Sequence, residues 1–145
     1  MHEKKLGCEL PAPLALSFIG DAQHSLYVRR MLVAKGLSKS GDLSSLSLSY
    51  VTAEAQARLF SRIEHLLLED EREVFRRASN SGHLNRPRHA SARDYRTATG
   101  FEAVIGMLSW IGDDERLNML LDIAHADGDI TDNKNSEATN DGGTE

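Results

Sequence analysis

The chain has 145 residues, 40% of them apolar, and a net charge of −5, which suits one globular domain with a modest core. No apolar run approaches the roughly 18 residues of a membrane span, and "MHEKKLGCEL" lacks the apolar centre of a signal peptide, so a cytoplasmic protein without membrane association is expected. The single cysteine, Cys8, excludes an internal disulfide framework and any multi-cysteine zinc site.

Residues 1–12 read as an N-terminal extension. Pro11 and Pro13 suit a helix start, because the first turn needs no N–H donor. Leu14, Phe18, Ala22, Ser25, Leu26 and Arg29 follow helical spacing, and Leu16, Ile19, Leu26 and Val33 add a second apolar row. The spacing predicts a helix over 13–35 with Gly36 as its stop. Residues 37–50 are rich in serine; Gly41-Asp42 marks a turn, and "DLSSLSLSYV" follows as a short helix. Thr52 opens the helix "TAEAQARLFSRIEHLLL", with apolar residues at 55, 59, 63, 66 and 67, and "DEREVFRRAS" makes a shorter one. "NSGHLNRPRHAS" is a loop, broken by Gly82 and Pro87. From Arg72 to Arg96 seven arginines face only Glu73 and Asp94, with His83 and His89 as further polar groups. That concentration of charge suits phosphate binding, the alternative being a solvated arginine-rich loop. Ser91 caps the long helix "ARDYRTATGFEAVIGMLSWI", ended by Gly112. "DDERLNMLLDIAHA" is the last helix, with acids in its first turn where the helix dipole favours them. Residues 127–145 hold six acids and one lysine, which accounts for the whole net charge, and read as a disordered tail. Strand signals are nearly absent, so the expected class is all-α, with five or six helices.

Two carboxylates stand out chemically. Asp21 lies mid-helix in "SFIGDAQHSLYVRR", on what the pattern reads as the inner face, and Glu102 lies mid-helix in "TGFEAVIGML". Their neighbours Gly20, Ala22 and Ala103 are small enough to let two helices approach closely. Facing carboxylates repel, and one holds its proton more tightly unless a cation separates them. Mg²⁺ suits such a pair, since it takes oxygen ligands and often uses only one or two carboxylates while keeping its waters. The alternative is ordinary helix acids paired with Arg29, Arg30 or Arg96. His24, three residues after Asp21, is a candidate further ligand, although lone histidines more often serve structure.

Together, "LALSFIGDAQHSLYVRRMLVAKG" and "YRTATGFEAVIGML" resemble the Mini-ribonuclease III family, small bacterial relatives of ribonuclease III that lack a double-stranded-RNA-binding domain. "YVTAEAQARLF", "EDEREVFRRASN" and the basic loop follow the family order, so the resemblance covers Leu14 to Ala124. It implies a ribonuclease III endonuclease-like helical domain over 13–126, acting as a two-fold homodimer. It further implies Mg²⁺-dependent hydrolysis of double-stranded RNA, with Mn²⁺ as a substitute ion. The substrate it implies is the large-subunit (23S) ribosomal RNA precursor, with a ribosomal protein as a candidate helper. Asp21 matches the catalytic Asp of "GDA", and Glu102 the metal-binding Glu of "FEA". A metal held there would activate a water and stabilise charge developing on the phosphate. Full-length ribonuclease III has two more acids, four residues before the Asp and three before the Glu; here those positions are Ser17 and Thr99, which leaves the metal count open.

The family's RNA-contacting "RGRNAK" stands here as "RASNSG". Arg77 and Asn80 match, while Ser79 and Gly82 replace basic residues. The expected RNA contacts are Arg76, Arg77 and Asn80, Arg86 and Arg88 in the loop that follows, and Tyr95 and Arg96 of the family's "YR". A second basic cluster is replaced by "SSLSLS", which weakens backbone contacts broadly rather than at one base. Phe18, Leu26, Tyr27, Met107 and Trp110 are candidates for interface or core. The competing function is a non-catalytic ribonuclease III-fold RNA-binding module, against which the presence of both Asp21 and Glu102 speaks.

Overall fold

A computed structural model describes residues 9–81 and 90–126. The described chain forms α1 (Pro13–Ala34), α2 (Ser40–Val51), α3 (Ala53–Ile63), a 3-10 turn (Glu64–Leu66), α4 (Glu69–Ser81), α5 (Ala92–Ile111) and α6 (Asp114–Ala124). This is the expected all-α class. Residues 1–8, 82–89 and 127–145 lie outside the described residues, and with them fall Arg86, Arg88, His83, His89 and the acidic tail.

Local chemistry explains most helix ends. Pro13 opens α1. Thr52 Oγ1 accepts from the Ala55 N–H at the start of α3, and Ser91 Oγ accepts from the Asp94 N–H at the start of α5, which satisfies donors that have no partner within the helix. At the end of α5, Gly112 adopts φ +75°. There the Gly112 N–H donates to Ser109 O and the Asp113 N–H to Leu108 O, a left-handed termination that glycine makes without a steric penalty.

Three expectations are corrected. Gly41-Asp42 is not a turn; both residues lie in the first turn of α2, where Asp42 meets the positive end of the helix dipole. The third predicted helix stops at Ile63 and continues as the 3-10 turn. Asn80 and Ser81, expected in a loop, complete α4.

α5 is the central helix and packs against α1, α3, α4 and α6. Its residues from Ala98 to Leu108 are buried, Glu102 excepted, so the interface-or-core candidate Met107 is core. Leu59, Phe60 and Ile63 of α3 close on Phe101, Val104, Ile105 and Leu108 of α5 and on Leu117, Leu120 and Leu121 of α6. The α1–α5 contact is the tightest. A Cβ built on Gly20 would stand 1.6 Å from Glu102 O, and one built on Gly106 would stand 1.8 Å from Leu16 O. Two glycines therefore let backbone rest on backbone.

A buried ion pair ties α6 to the first turn of α4. Glu71 is fully buried. Arg116 Nε donates to Glu71 Oε2 (2.6 Å), and Arg116 Nη2 donates to Glu71 Oε1 and Leu66 O (both 2.8 Å). The Leu68 N–H also donates to Glu71 Oε1 (2.9 Å). Removing one partner leaves a buried charge uncompensated, so Arg116→Ala is expected to lower the unfolding free energy in urea by about 3–5 kcal/mol. The double variant Glu71→Leu/Arg116→Leu is expected to lie closer to wild type than Arg116→Ala alone. A double variant that proves the less stable of the two would overturn this account.

Candidate active site

The glycine-mediated contact brings Asp21 and Glu102 together. The side of α1 that faces the core is formed by Leu16, Gly20, His24, Val28 and Leu32, one residue every helical turn. Asp21 is therefore not on the inner face, as its apolar setting suggested. It is exposed at the rim, beside the point where Gly20 meets the Glu102 backbone. Glu102 is half-buried, close enough to the Asp21 carboxyl group for that group to act on its proton. Its proton affinity is pushed up to about 9, first by burial, then by the hydrogen bond and the negative charge of Asp21; a hydrogen bond from Gln56 acts in the opposite direction.

Gln56 belongs to a buried polar chain. It is 2% exposed, and its Nε2 lies 3.1 Å from His24 Nδ1. His24 is fully buried, and its Nε2 lies 2.9 Å from His125 Nε2. The amide can only donate through Nε2, so His24 Nδ1 accepts, His24 Nε2 carries the proton, and His125 Nε2 accepts it. Both rings are thus neutral. Burial, then the repulsion that two protonated rings this close would feel, lowers His24 to about 3. Burial, then Arg62 and Lys35, lowers His125 to about 4. The Phe101 ring meets His24 edge-on at 5.2 Å. With both ring nitrogens engaged, His24 is not placed as a metal ligand, which corrects that candidate role.

Ser17 and Thr99 face each other across the α1–α5 contact. Ser17 Oγ donates to Thr99 O (2.8 Å), and Thr99 Oγ1 donates to Tyr95 O (2.8 Å). Hydroxyls committed to carbonyls therefore occupy the two positions that are acidic in full-length ribonuclease III. Among the described residues no group of three or more His, Cys, Asp or Glu side chains is placed to hold a metal. Two adjacent hard oxygen donors, one open to solvent, suit a divalent ion that keeps most of its water, as Mg²⁺ does. Without a cation, one of the two must hold a proton.

The expected RNA contacts are placed separately. Arg76 is exposed on α4 and donates to Glu73 Oε1 (2.7 Å) and Oε2 (3.1 Å), so it carries a counter-ion of its own. Arg77 and Asn80 are exposed near the end of the same helix. On α5, Tyr95 is half-buried, on the Thr99–Glu102 side by helical spacing, and Arg96 is exposed with its Nε donating to Ala92 O (3.3 Å). Gln56 and His125 were missed as site residues. The sequence signals for Gln56 are its place in the family-like stretch "YVTAEAQARLF" and a polar residue a turn ahead of Leu59 and Phe60 on the apolar side of α3.

These shifted groups define a pH profile of stability in the absence of divalent ions. Above about pH 6.5 folded Glu102 holds a proton that the unfolded chain has released, so stability is lost as pH rises toward about 9. Below about pH 6.5 the unfolded chain protonates two histidines that stay neutral in the fold down to about 3 and 4, so stability is lost as pH falls. Two protons then oppose the one on Glu102. The expected result in urea unfolding is a maximum near pH 6.5, with a decline of roughly 1 kcal/mol per pH unit on the acid side. Saturating Mg²⁺ is expected to remove the alkaline decline and leave the acid one in place.

Comparison with known proteins gives a consistent result. Residues 14–112 match the Ribonuclease III domain family. The chain is 41% identical over 113 residues to Mini-ribonuclease 3 of a Thermoanaerobacter species, which spans 78% of this chain and 80% of that one. It is 41% identical over 110 residues to Mini-ribonuclease 3 of Streptococcus pneumoniae, which spans 74% and 86%. The fold is similar to the crystal structure of a Fusobacterium nucleatum protein, with a TM-score of 0.71 at 27% identity over 77% of this chain and 89% of that chain.

Proposed function

The chain belongs to the Mini-ribonuclease III family of ribonuclease III domain proteins, and on that premise we propose that Asp21 and Glu102 are the catalytic, metal-holding pair of an endoribonuclease that cuts double-stranded RNA in the maturation of large-subunit ribosomal RNA. The observation that carries the assignment is the approach of these two carboxyl groups at the α1–α5 contact. Mg²⁺ held by Asp21 and Glu102 would supply charge stabilisation to the scissile phosphate and an activated water, a role Mn²⁺ would also fill. Asp21, at the exposed rim, faces the RNA backbone, while half-buried Glu102 is held from behind by Gln56. Arg76, Arg77, Asn80, Tyr95 and Arg96, with Arg86 and Arg88 of the intervening sequence, offer phosphate and ribose contacts across a duplex. The catalytic unit is residues 13–126.

The test is cleavage of a long RNA duplex and of either strand alone, with Mg²⁺ and with a chelator. The expected result is cutting of the duplex only, and only with Mg²⁺. Duplex binding without cutting, in the presence of Mg²⁺ and Mn²⁺, would replace this reading with the non-catalytic RNA-binding module.

A two-fold homodimer completes the proposal. Phe18 is 82% exposed and Leu14, one turn before it, is also exposed; Leu26 and Trp110 are further exposed apolar groups, whereas Tyr27 is half-buried and donates to Asp122 Oδ1 (2.6 Å). Adjacent large apolar side chains in water favour a covering partner, and a second copy of the chain provides two cutting sites for two strands. Phe18→Glu is expected to halve the sedimenting mass, and a wild-type chain that sediments as a monomer at micromolar concentration would overturn the dimer. No helix of the described residues is long and apolar enough to cross a membrane.

A further inference from the structure

We propose that Gln56 is a positioning residue for Glu102, and that the buried His24–His125 pair sets which edge of the Gln56 amide Glu102 meets. The proposal rests on the reading of Glu102 as a metal ligand.

An amide has a donor edge and an acceptor edge of nearly equal shape, so a buried amide needs a neighbour that selects between them. Here the neighbour is His24. Gln56 Nε2 lies 3.1 Å from His24 Nδ1, an arrangement that needs the ring's single proton on Nε2, toward His125 Nε2 at 2.9 Å. A flipped amide would put Gln56 Oε1 against Nδ1 and would need the other tautomer, with the ring proton on Nδ1. In the arrangement observed the amide nitrogen serves this side, and Glu102 takes a hydrogen bond from Gln56. Glu102 thus meets a neutral donor that steadies its carboxylate and leaves its other oxygen to an ion. A basic residue in the same place would compete with that ion for the carboxylate. The chain of contacts joins α6, α1, α3 and α5, with Gln56 2% and His24 0% exposed, so solvent does not compensate for a missing partner. Outer groups that orient a metal-binding side chain typically influence metal affinity by about 10–100-fold.

The test is Mn²⁺ affinity of the full chain, by electron paramagnetic resonance titration at one pH, for wild type and for Glu102→Gln, Gln56→Met, His24→Phe and His24→Asn. Gln56→Met keeps length and volume and removes the amide, and it is expected to weaken Mn²⁺ about tenfold. His24→Phe keeps a ring but offers no acceptor, and is expected to weaken Mn²⁺ similarly. His24→Asn loses the ring but carries an amide oxygen near the place of Nδ1, and is expected to return to within about threefold of wild type. If His24 only packed against Phe101, the order of its two variants would reverse, Phe being benign and Asn harmful. Loss of binding in Glu102→Gln with unchanged affinity in Gln56→Met would overturn the positioning role and leave the metal site standing. Unchanged binding in Glu102→Gln would remove the metal site itself, and this inference with it.

Discussion

Asp21→Asn is expected to lower the rate of duplex cleavage by on the order of a thousandfold or more, with secondary structure and duplex affinity close to wild type. The side chain is exposed and its shape is kept, so the fold loses little packing. What is lost is one of two anionic oxygen donors, and the described residues hold no third acid, His or Cys placed to take over. The pH dependence of stability changes as well. The hydrogen bond and charge of Asp21 contribute to holding Glu102 protonated up to about 9, so the stability that the bound proton gives at lower pH is lost as pH rises toward that value. Without divalent ions, Asp21→Asn is therefore expected to lose less stability than wild type between about pH 6.5 and about pH 9, by an amount on the order of 1 kcal/mol. Lost activity with a flatter alkaline profile is the mark of a coupled carboxyl pair. Cleavage that survives in the variant would show that the pair is not the catalytic one; an unchanged alkaline decline would show that Asp21 does not act on Glu102.

Gly20→Ala is expected to be among the most destabilising single-methyl additions in the chain. The added Cβ would fall 1.6 Å from Glu102 O, 2.5 Å from Glu102 C and 2.9 Å from Gly106 N, all backbone atoms of α5. A flexible side chain could turn aside, but a helix backbone must move as a whole, and α5 is packed against four other helices. Overpacking typically costs 1–3 kcal/mol; with backbone on both sides, a loss of about 3 kcal/mol or more is expected in urea unfolding. The same displacement parts Asp21 from Glu102, so cleavage should fall further than the folded fraction does. Gly41→Ala is the matched control. It lies in the first turn of α2 with nothing within 4 Å of the added methyl, and it should be neutral or stabilising by about 0.5–1 kcal/mol. Equal stabilities for the two variants would mean that α1 and α5 do not meet backbone to backbone.

The helices were readable because their signals are local. Apolar spacing, Pro13 at the start of α1, the Ser91 cap and the Gly112 stop act over a few residues, and each is present in the sequence whatever the rest of the chain does. Gly41-Asp42 misled for the same reason. The pair is a common turn signal, but Asp42 also suits the first turn of a helix, and neighbouring residues decide between the two. By itself the sequence determined an all-α chain with two acids in unusually apolar settings, and through the resemblance of its motifs it nominated both as candidate site residues. Tertiary structure decided which acid is exposed, since Asp21 lies one residue around α1 from the Gly20 that meets α5. It also decided that Met107 is core while Phe18 is open to solvent. It alone joined Gln56 to His24 across 32 residues and His24 to His125 across 101. Periodicity reports the face on which a residue sits, whereas burial, proton affinity and hydrogen-bond partners depend on which distant helix covers that face.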